Sequence, residues 1–225
     1  MIKVNDFPKI DVVILAGGKG TRIKEFLNGN PKPMIKIGDR NFIDYLIKKV
    51  ASYPINKIYI MCGYRGKRIY NKYNNTFQNL VPISCILEKE PLGTGGAIKS
   101  LEKKVTKNFI VLNGDTFFDI DFSIFFKNEN KNKLIISLAK DERYKSNKKL
   151  ISLALNKNKI IIFKKKSKFF NGGVYFLNKK NFKKLKKIKK NNFSLEEDFL
   201  HYEILKQNIY GIYFNNFFLY IFTKW

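Results

Sequence analysis

Five apolar runs punctuate the first 140 residues: VVILAG (12–17), IYIMCGY (58–64), VPISCILE (81–88), FIVLNGD (109–115) and KLIISLAK (133–140). Each is short, rich in β-branched side chains and bounded by glycine, proline or polar residues, the pattern of a buried strand. Between the first four lie stretches with helical spacing instead. RNFIDYLIKKVASY (40–53) sets Phe42, Ile43, Leu46, Ile47 and Val50 on one face, and GGAIKSLEKKV (95–105) does the same with Ala97, Ile98, Leu101 and Val105. Strand and helix in alternation predict a mostly parallel sheet with helices on both faces. Such sheets bind ligands outside the carboxyl ends of their strands. The glycine-rich turn after the first run, Glu88, and the triplet Asn113, Gly114 and Asp115 all fall at such ends. They are expected to converge on one crevice.

From about residue 141 the alternation stops. KKLISLALNKNKIIIFKKK (148–166) reads as a hairpin turning at Asn156–Lys159, and NGGVYFLNK (171–179) as a further strand. This second half is expected to cover the crevice and contact a second substrate. No repeat or composition break forces a boundary, so one domain over 1–225 is expected.

A formal charge of +26 raises the question of nucleic acid, but only five of the 44 basic residues are arginine. The lysines are mixed with Asn, Ile, Phe and Tyr along the whole chain, the bias of an AT-rich coding sequence. Runs such as NKKNFKKLKKIKKNN (178–192) place Phe182, Leu185 and Ile188 inward and lysines on a solvated face. No nucleic-acid partner is expected; affinity for phosphorylated small molecules is the simpler use of the charge. Cys62 and Cys85 sit in strand-like runs without ligand spacing, as buried thiols of a reducing compartment do. No segment approaches the roughly 20 apolar residues that span a bilayer, and the first residues lack a signal-peptide core. A cytoplasmic protein without membrane insertion is expected, and no feature sets its oligomeric state.

The first turn lies in DVVILAGGKGTR (11–22). It does not fit the P-loop pattern, and the dinucleotide fingerprint fails because Ile23 stands where a third glycine is required. What remains is physical. Glycines let backbone N–H groups approach phosphate oxygens, a following helix N-terminus favours an anion, and Arg22 adds a planar fork of donors. An ordinary tight strand-to-helix turn is the other reading of these residues.

LAGGKGTR (15–22), followed by NPKPMIKIG (30–38) with Lys32 between two prolines, resembles the sugar nucleotidyltransferase family, the pyrophosphorylases that make nucleotide sugars. EKEPLGTGGAIKSL (88–101), FIVLNGDTFFDID (109–121) and NGGVYFLN (171–178) extend the resemblance in the same order. It covers about 10–140 well and 160–205 less well. It implies an α/β fold: a three-layer, Rossmann-like mixed sheet with helices on both faces, of nucleotide-diphospho-sugar transferase type, with a truncated C-terminus. The nucleotide-binding half would be about 1–140 and the sugar-binding half about 141–225. The implied reaction joins a sugar 1-phosphate to a nucleoside triphosphate, releases pyrophosphate, and supplies a nucleotide sugar for surface polysaccharide. The resemblance gives Ala16, Gly17, Gly18, Gly20, Thr21 and Arg22 to the triphosphate, with Arg22 on the departing pyrophosphate. Lys32 would sit at the reacting phosphates, and Asp115, with Asn113 and Gly114 before it, would hold Mg²⁺. Glu88 would lie beside the base, with Gly93 and Thr94 packing on its plane. Lys166, Asn171, Gly172, Gly173 and Glu196 would meet the sugar phosphate.

Guanine offers two donors, N1–H and the 2-amino group, to an acceptor-only carboxylate such as Glu88, whereas uracil and thymine expose acceptors there. GTP is therefore the expected nucleotide, and the resemblance implies a heptose or mannose 1-phosphate as its partner. Uridylyl or thymidylyl transfer to a hexose 1-phosphate is the alternative. Glu88 also reads as a solvated strand-end charge, and Glu196 as a helix-terminal acid in FSLEEDFL. Three departures from the family pattern stand out. Lys145 in RYKSNKK (143–149) replaces a glycine, and Lys165 in FKKK (163–166) replaces a carboxylate that grips sugar hydroxyls. FFLYIFTKW (217–225) puts Tyr220 where the family carries an aspartate, the second metal ligand. A neutral phenol does not replace a carboxylate on Mg²⁺. Reduced turnover is expected, either from a shifted reading frame near residue 216 or from divergence into a nucleotide-binding relative without catalysis.

Overall fold

A computed structural model of the chain describes residues 10–105, 108–127, 134–140, 153–156, 159–162 and 169–221. Its first half carries β1 (Ile10–Leu15), β2 (Lys36–Ile37), β3 (Arg40–Asn41), α1 (Phe42–Val50), β4 (Ile55–Cys62), α2 (Lys67–Tyr73), β5 (Phe77–Gln78), β6 (Val81–Leu87), α3 (Gly93–Lys99), β7 (Asn108–Asn113), β8 (Thr116–Phe118), α4 (Ser123–Phe126) and β9 (Leu134–Ala139). The second half adds β10 (Leu153–Asn156), β11 (Lys159–Ile162), β12 (Phe170–Asn178), α5 (Lys179–Lys186), α6 (His201–Leu205), β13 (Ile209–Tyr213) and β14 (Phe218–Tyr220). A short π-helical segment, Leu195–Leu200, leads directly into α6.

Ten strands form one mixed sheet in the order β10-β11-β13-β9-β12-β7-β1-β4-β6-β5. β7, β1, β4 and β6 run parallel, as the alternating pattern requires. β12 then pairs antiparallel with both β7 and β9, which makes the sheet mixed. The two faces separate cleanly along β1. Val12 and Ile14 join one buried cluster with Phe42, Ile43 and Leu46 of α1, Ile69 of α2 and Phe125 of α4. Val13 and Leu15 join the other with Ala97 and Ile98 of α3, Phe182 and Leu185 of α5, Phe199 and Ile204. This period-2 division, with every residue of β1 buried, gives three layers. Each fully buried Val, Ile or Leu contributes about 1.5–3 kcal/mol.

Local chemistry sets the helix starts. Asp44 accepts the Asn41 N–H at 2.9 Å, one half of a capping box that fixes where α1 begins. Phe182 and Leu185 are buried as expected, while Ile188, just past α5, packs against the same cluster half-buried. Cys62 and Cys85 are buried free thiols. Among the described residues no helix is long and apolar enough to cross a membrane.

The second half departs from expectation in one respect. Among its described residues it mostly extends the sheet past β7 through edge-to-edge pairing of β12, β9 and β13, and meets the crevice at Asn192 and Tyr220. The hairpin is present, with Asn156 opposite Lys159. Along β12 the pairing with β9 jumps from Asn171↔Leu138 to Tyr175↔Ile136, a bulge at the NGG motif. β14 pairs antiparallel with β8, placing Tyr220 opposite Thr116. The Phe218 ring packs edge-on against Phe118 and Phe170, with centroids at 5.2 and 5.1 Å. Lys145, Lys165 and Lys166 lie outside the described residues.

Candidate active site

The carboxyl ends of β1, β4, β6 and β7 surround a cleft of about 470 Å³. Gly17 and Gly18 from the first turn, Glu88, Gly93 and Thr94, and Asn113, Gly114, Asp115 and Lys32 all line it. Residues far apart in sequence thus meet at the strand ends. The seam between β1 and β4 is tight. A Cβ on Gly63 would lie 2.7 Å from the Gly17 Cα, so the turn after β4 must carry glycine to come this close. Beyond the pinch, a Cβ on Gly18 would meet nothing within 4 Å, which leaves the turn's backbone accessible from the cleft.

The glycine turn differs from expectation downstream. Gly20 takes φ +62°, and the following Thr21–Leu27 segment is 3₁₀, broken at Ile23, not a regular α-helix. A helix macrodipole therefore contributes little to anion binding, and backbone N–H groups and lysines carry the positive potential. Ala16 is buried and anchored by its N–H to the Met61 carbonyl at 2.9 Å. Gly20, Thr21 and Arg22 do not border the cleft, and Arg22 is exposed on the 3₁₀ segment. Lys19 does border it, as do Gly63, Tyr64, Lys89 and Asn192, none of which the motifs singled out. Lys19 was visible inside GGKG, and Gly63 and Tyr64 follow the second strand as the glycine turn follows the first.

Lys32 Nζ donates to Asp115 Oδ2 at 2.5 Å, with the side chains 12% and 26% exposed. Pro31 is extended (ψ 148°) and Pro33 is buried, so the backbone that presents Lys32 is stiff. The Lys32 ammonium also lies over the Tyr220 ring, 4.7 Å from its centroid. The Ile221 N–H donates to the Asp115 carbonyl at 3.0 Å, stitching position 220 to the backbone of Asp115. Sequence position 220 and Asp115 are therefore neighbours across the cleft floor.

Glu88 is held by its own N–H on the Cys62 carbonyl at 2.9 Å. Its carboxylate accepts the Leu92 N–H at 3.3 Å, and burial raises its pKa above the ordinary value. Gly93 (φ +68°) lines the cleft, but Gly95 and Gly96 serve packing: Cβ atoms there would strike the Phe193 ring at 2.2 Å and the Asn191 carbonyl at 2.1 Å. Asn171, Gly172, Gly173 and Glu196 form a layer behind the lining rather than the lining itself. Gly173 (φ +74°) donates its N–H to Asn171 Oδ1 at 2.9 Å, and a Cβ on Gly172 would strike Phe118 at 2.6 Å.

Among the described residues no three His, Cys, Asp or Glu side chains gather into a metal cage. Asp115 supplies one carboxylate, shared with Lys32 and, at 3.3 Å, with the Thr116 hydroxyl. That carboxylate could join phosphate oxygens and water in holding an Mg²⁺ ion that arrives on a nucleotide.

A strand-end cleft with a glycine turn, a half-buried lysine–aspartate pair and an under-satisfied carboxylate defines a nucleotide-handling α/β protein. The sequence profile of the nucleotidyl transferases matches residues 11–210, and the chain belongs to that family. Its sheet is of the nucleotide-diphospho-sugar transferase type. The chain is 36% identical over 201 residues to the D-glycero-alpha-D-manno-heptose 1-phosphate guanylyltransferase of Campylobacter jejuni, covering 88% of this chain and 86% of that one. To the enzyme of the same name from Aneurinibacillus thermoaerophilus it is 32% identical over 215 residues, covering 93% and 92%. The crystal structure of HddC from Yersinia pseudotuberculosis complexed with GMP-PN matches with a TM-score of 0.75 at 30% identity, covering 94% and 93%.

Proposed function

We propose that the chain is a guanylyltransferase that joins GTP to a heptose 1-phosphate in this cleft and releases pyrophosphate. The observation that carries the reading is Glu88, whose carboxylate lines the cleft beside the Gly17–Gly63 seam. An ionised carboxylate that is half-buried with one N–H partner is short of donors, and guanine N1–H and the 2-amino group supply two. Relatives named as heptose 1-phosphate guanylyltransferases over most of both chains support the same choice of substrates. A mannose 1-phosphate fits the same chemistry.

In-line attack by a sugar phosphate oxygen on the α-phosphorus asks the protein for position and charge neutralisation more than covalent chemistry. The Gly17–Gly18 backbone and Lys19 bind the triphosphate, while Lys32 offers a cation to the reacting phosphates. Asp115 orients Lys32 and would hold Mg²⁺ carried by the nucleotide. That ion, when bound, neutralises phosphate charge at the leaving group. With Tyr220 in place of a second carboxylate, turnover is slow.

The base assignment is tested by calorimetric titration of the four nucleoside triphosphates in the presence of Mg²⁺. GTP binds tightest in the wild type, and Glu88→Gln weakens it by roughly 10- to 100-fold at neutral pH, the value of a charged hydrogen-bond pair. The ionised form is the one that accepts, so GTP affinity falls as the pH drops through the raised Glu88 pKa, above the ordinary glutamate range. The phosphates titrate alike in both proteins, so the difference between wild type and variant isolates Glu88. An identical pH profile in the two would remove Glu88 from the base site.

A further inference from the structure

Behind the cleft lies a buried hydroxyl that none of these roles uses. Tyr175 on β12 is 0% exposed. Its O–H donates to Glu196 Oε1 at 2.8 Å, and its oxygen accepts from Asn171 Nδ2 at 2.8 Å and Asn113 Nδ2 at 3.4 Å. The second oxygen of Glu196 accepts from the Thr94 hydroxyl at 2.9 Å, which in turn accepts the Leu195 N–H at 2.8 Å. Thr94 and Asn113 line the cleft, Thr94 beside Gly93 and Asn113 two residues before Asp115. Asn171 opens the bulge of β12. One phenol thus ties together the strand end that carries Asp115, the loop that follows Glu88, and the bulge on the far side. Burial and the neighbouring Glu196 charge push its pKa well up, so it stays a donor. Asn113 Oδ1 is a buried acceptor without a partner among the described residues, which a substrate donor would satisfy.

We propose that Tyr175 is a positioning residue that couples the nucleotide and sugar 1-phosphate subsites. Ordering of Asn113 by the nucleotide reaches Glu196 and Asn171 through the Tyr175 hydroxyl, and ordering of Thr94 reaches Glu196 directly and Asn171 through the same hydroxyl, so each substrate prepares the site for the other. Hydrogen-bond chains in a low-dielectric interior reinforce one another, and cutting one link frees both ends. The proposal rests on the reading of the cleft as a site for GTP and a sugar 1-phosphate.

Calorimetry with a GTP analogue whose α,β-bridge cannot be cleaved and a heptose or mannose 1-phosphate, each alone and then together, tests it. In the wild type each ligand tightens the other by about tenfold, within the usual range of coupling between sites. In Tyr175→Phe, single-ligand affinities stay within about threefold while the mutual tightening falls below about twofold. A purely structural hydroxyl would lower the melting temperature and leave the tightening intact, and that result overturns the proposal. Amide exchange in the wild type decides the question if Tyr175→Phe fails to fold: the sugar 1-phosphate alone slows exchange of the Leu195 N–H, which the Thr94 hydroxyl accepts at the far end of the chain, and unchanged exchange overturns the proposal. A wild type that binds neither ligand overturns the functional reading and the coupling with it. Binding of both ligands without mutual tightening overturns the coupling alone.

Discussion

Asp115→Asn lowers the rate of pyrophosphate release from GTP and a sugar 1-phosphate by roughly 100- to 1,000-fold, the usual cost of removing a preorganised charge from a reacting centre. The substitution keeps the side chain's shape and its neighbour Thr116, but takes the anion away from Lys32, 2.5 Å distant. Two opposite effects follow on binding. Without Mg²⁺, GTP binds about three- to tenfold tighter, because a freed Lys32 reaches the phosphates and a repelling carboxylate is gone. With Mg²⁺ the gain disappears, since the carboxylate that meets the ion is missing. This reversal separates a charge-organising aspartate from one that merely ends β7. Titrations that show no dependence on Mg²⁺, or a rate within tenfold of the wild type, would place the chemistry elsewhere.

Tyr220→Asp acts in the other direction. Position 220 faces Thr116 across β14 and β8, its neighbour Ile221 is bonded to the Asp115 carbonyl, and its ring lies over Lys32. A carboxylate there stands beside Asp115 and offers a divalent ion a second oxygen ligand. Mn²⁺ binding in the presence of a GTP analogue, read by electron paramagnetic resonance, tightens by about tenfold, and turnover rises by roughly 10- to 100-fold. The substitution also removes a half-buried ring packed on the core, so a lower melting temperature accompanies the gain. Unchanged Mn²⁺ affinity in a folded variant would show that Tyr220 is not what limits the metal site.

The first half was legible because its signals are local. β1 reads as a strand from Val12–Leu15 alone, the spacing of Phe42, Leu46 and Val50 announces α1, and the glycine turn, Glu88 and Asp115 all sit at strand ends. That positional rule was enough to place them in one cleft. Arg22 shows the limit. Its side chain belongs in sequence to the glycine turn, yet the 3₁₀ break at Ile23 sets it on an exposed segment outside the lining. Nothing in LAGGKGTR reveals that break. The second half was harder to read, because antiparallel insertion of β12 between β7 and β9 depends on long-range pairing that no local pattern encodes. Tyr175 was missed for the same reason: in VYFL it looks like any buried aromatic, and its partners Glu196 and Asn113 come from distant parts of the chain.

The most direct measurement follows product and pyrophosphate by mass spectrometry and a coupled phosphate assay. The full chain is incubated with D-glycero-D-manno-heptose 1-phosphate, Mg²⁺ and each of the four nucleoside triphosphates in turn. GDP-heptose and pyrophosphate accumulate together, slowly, with GTP giving the fastest rate, and Lys32→Ala abolishes both. Faster product formation from UTP or dTTP than from GTP, or no nucleotide sugar from any of them, would contradict guanylyl transfer in this cleft.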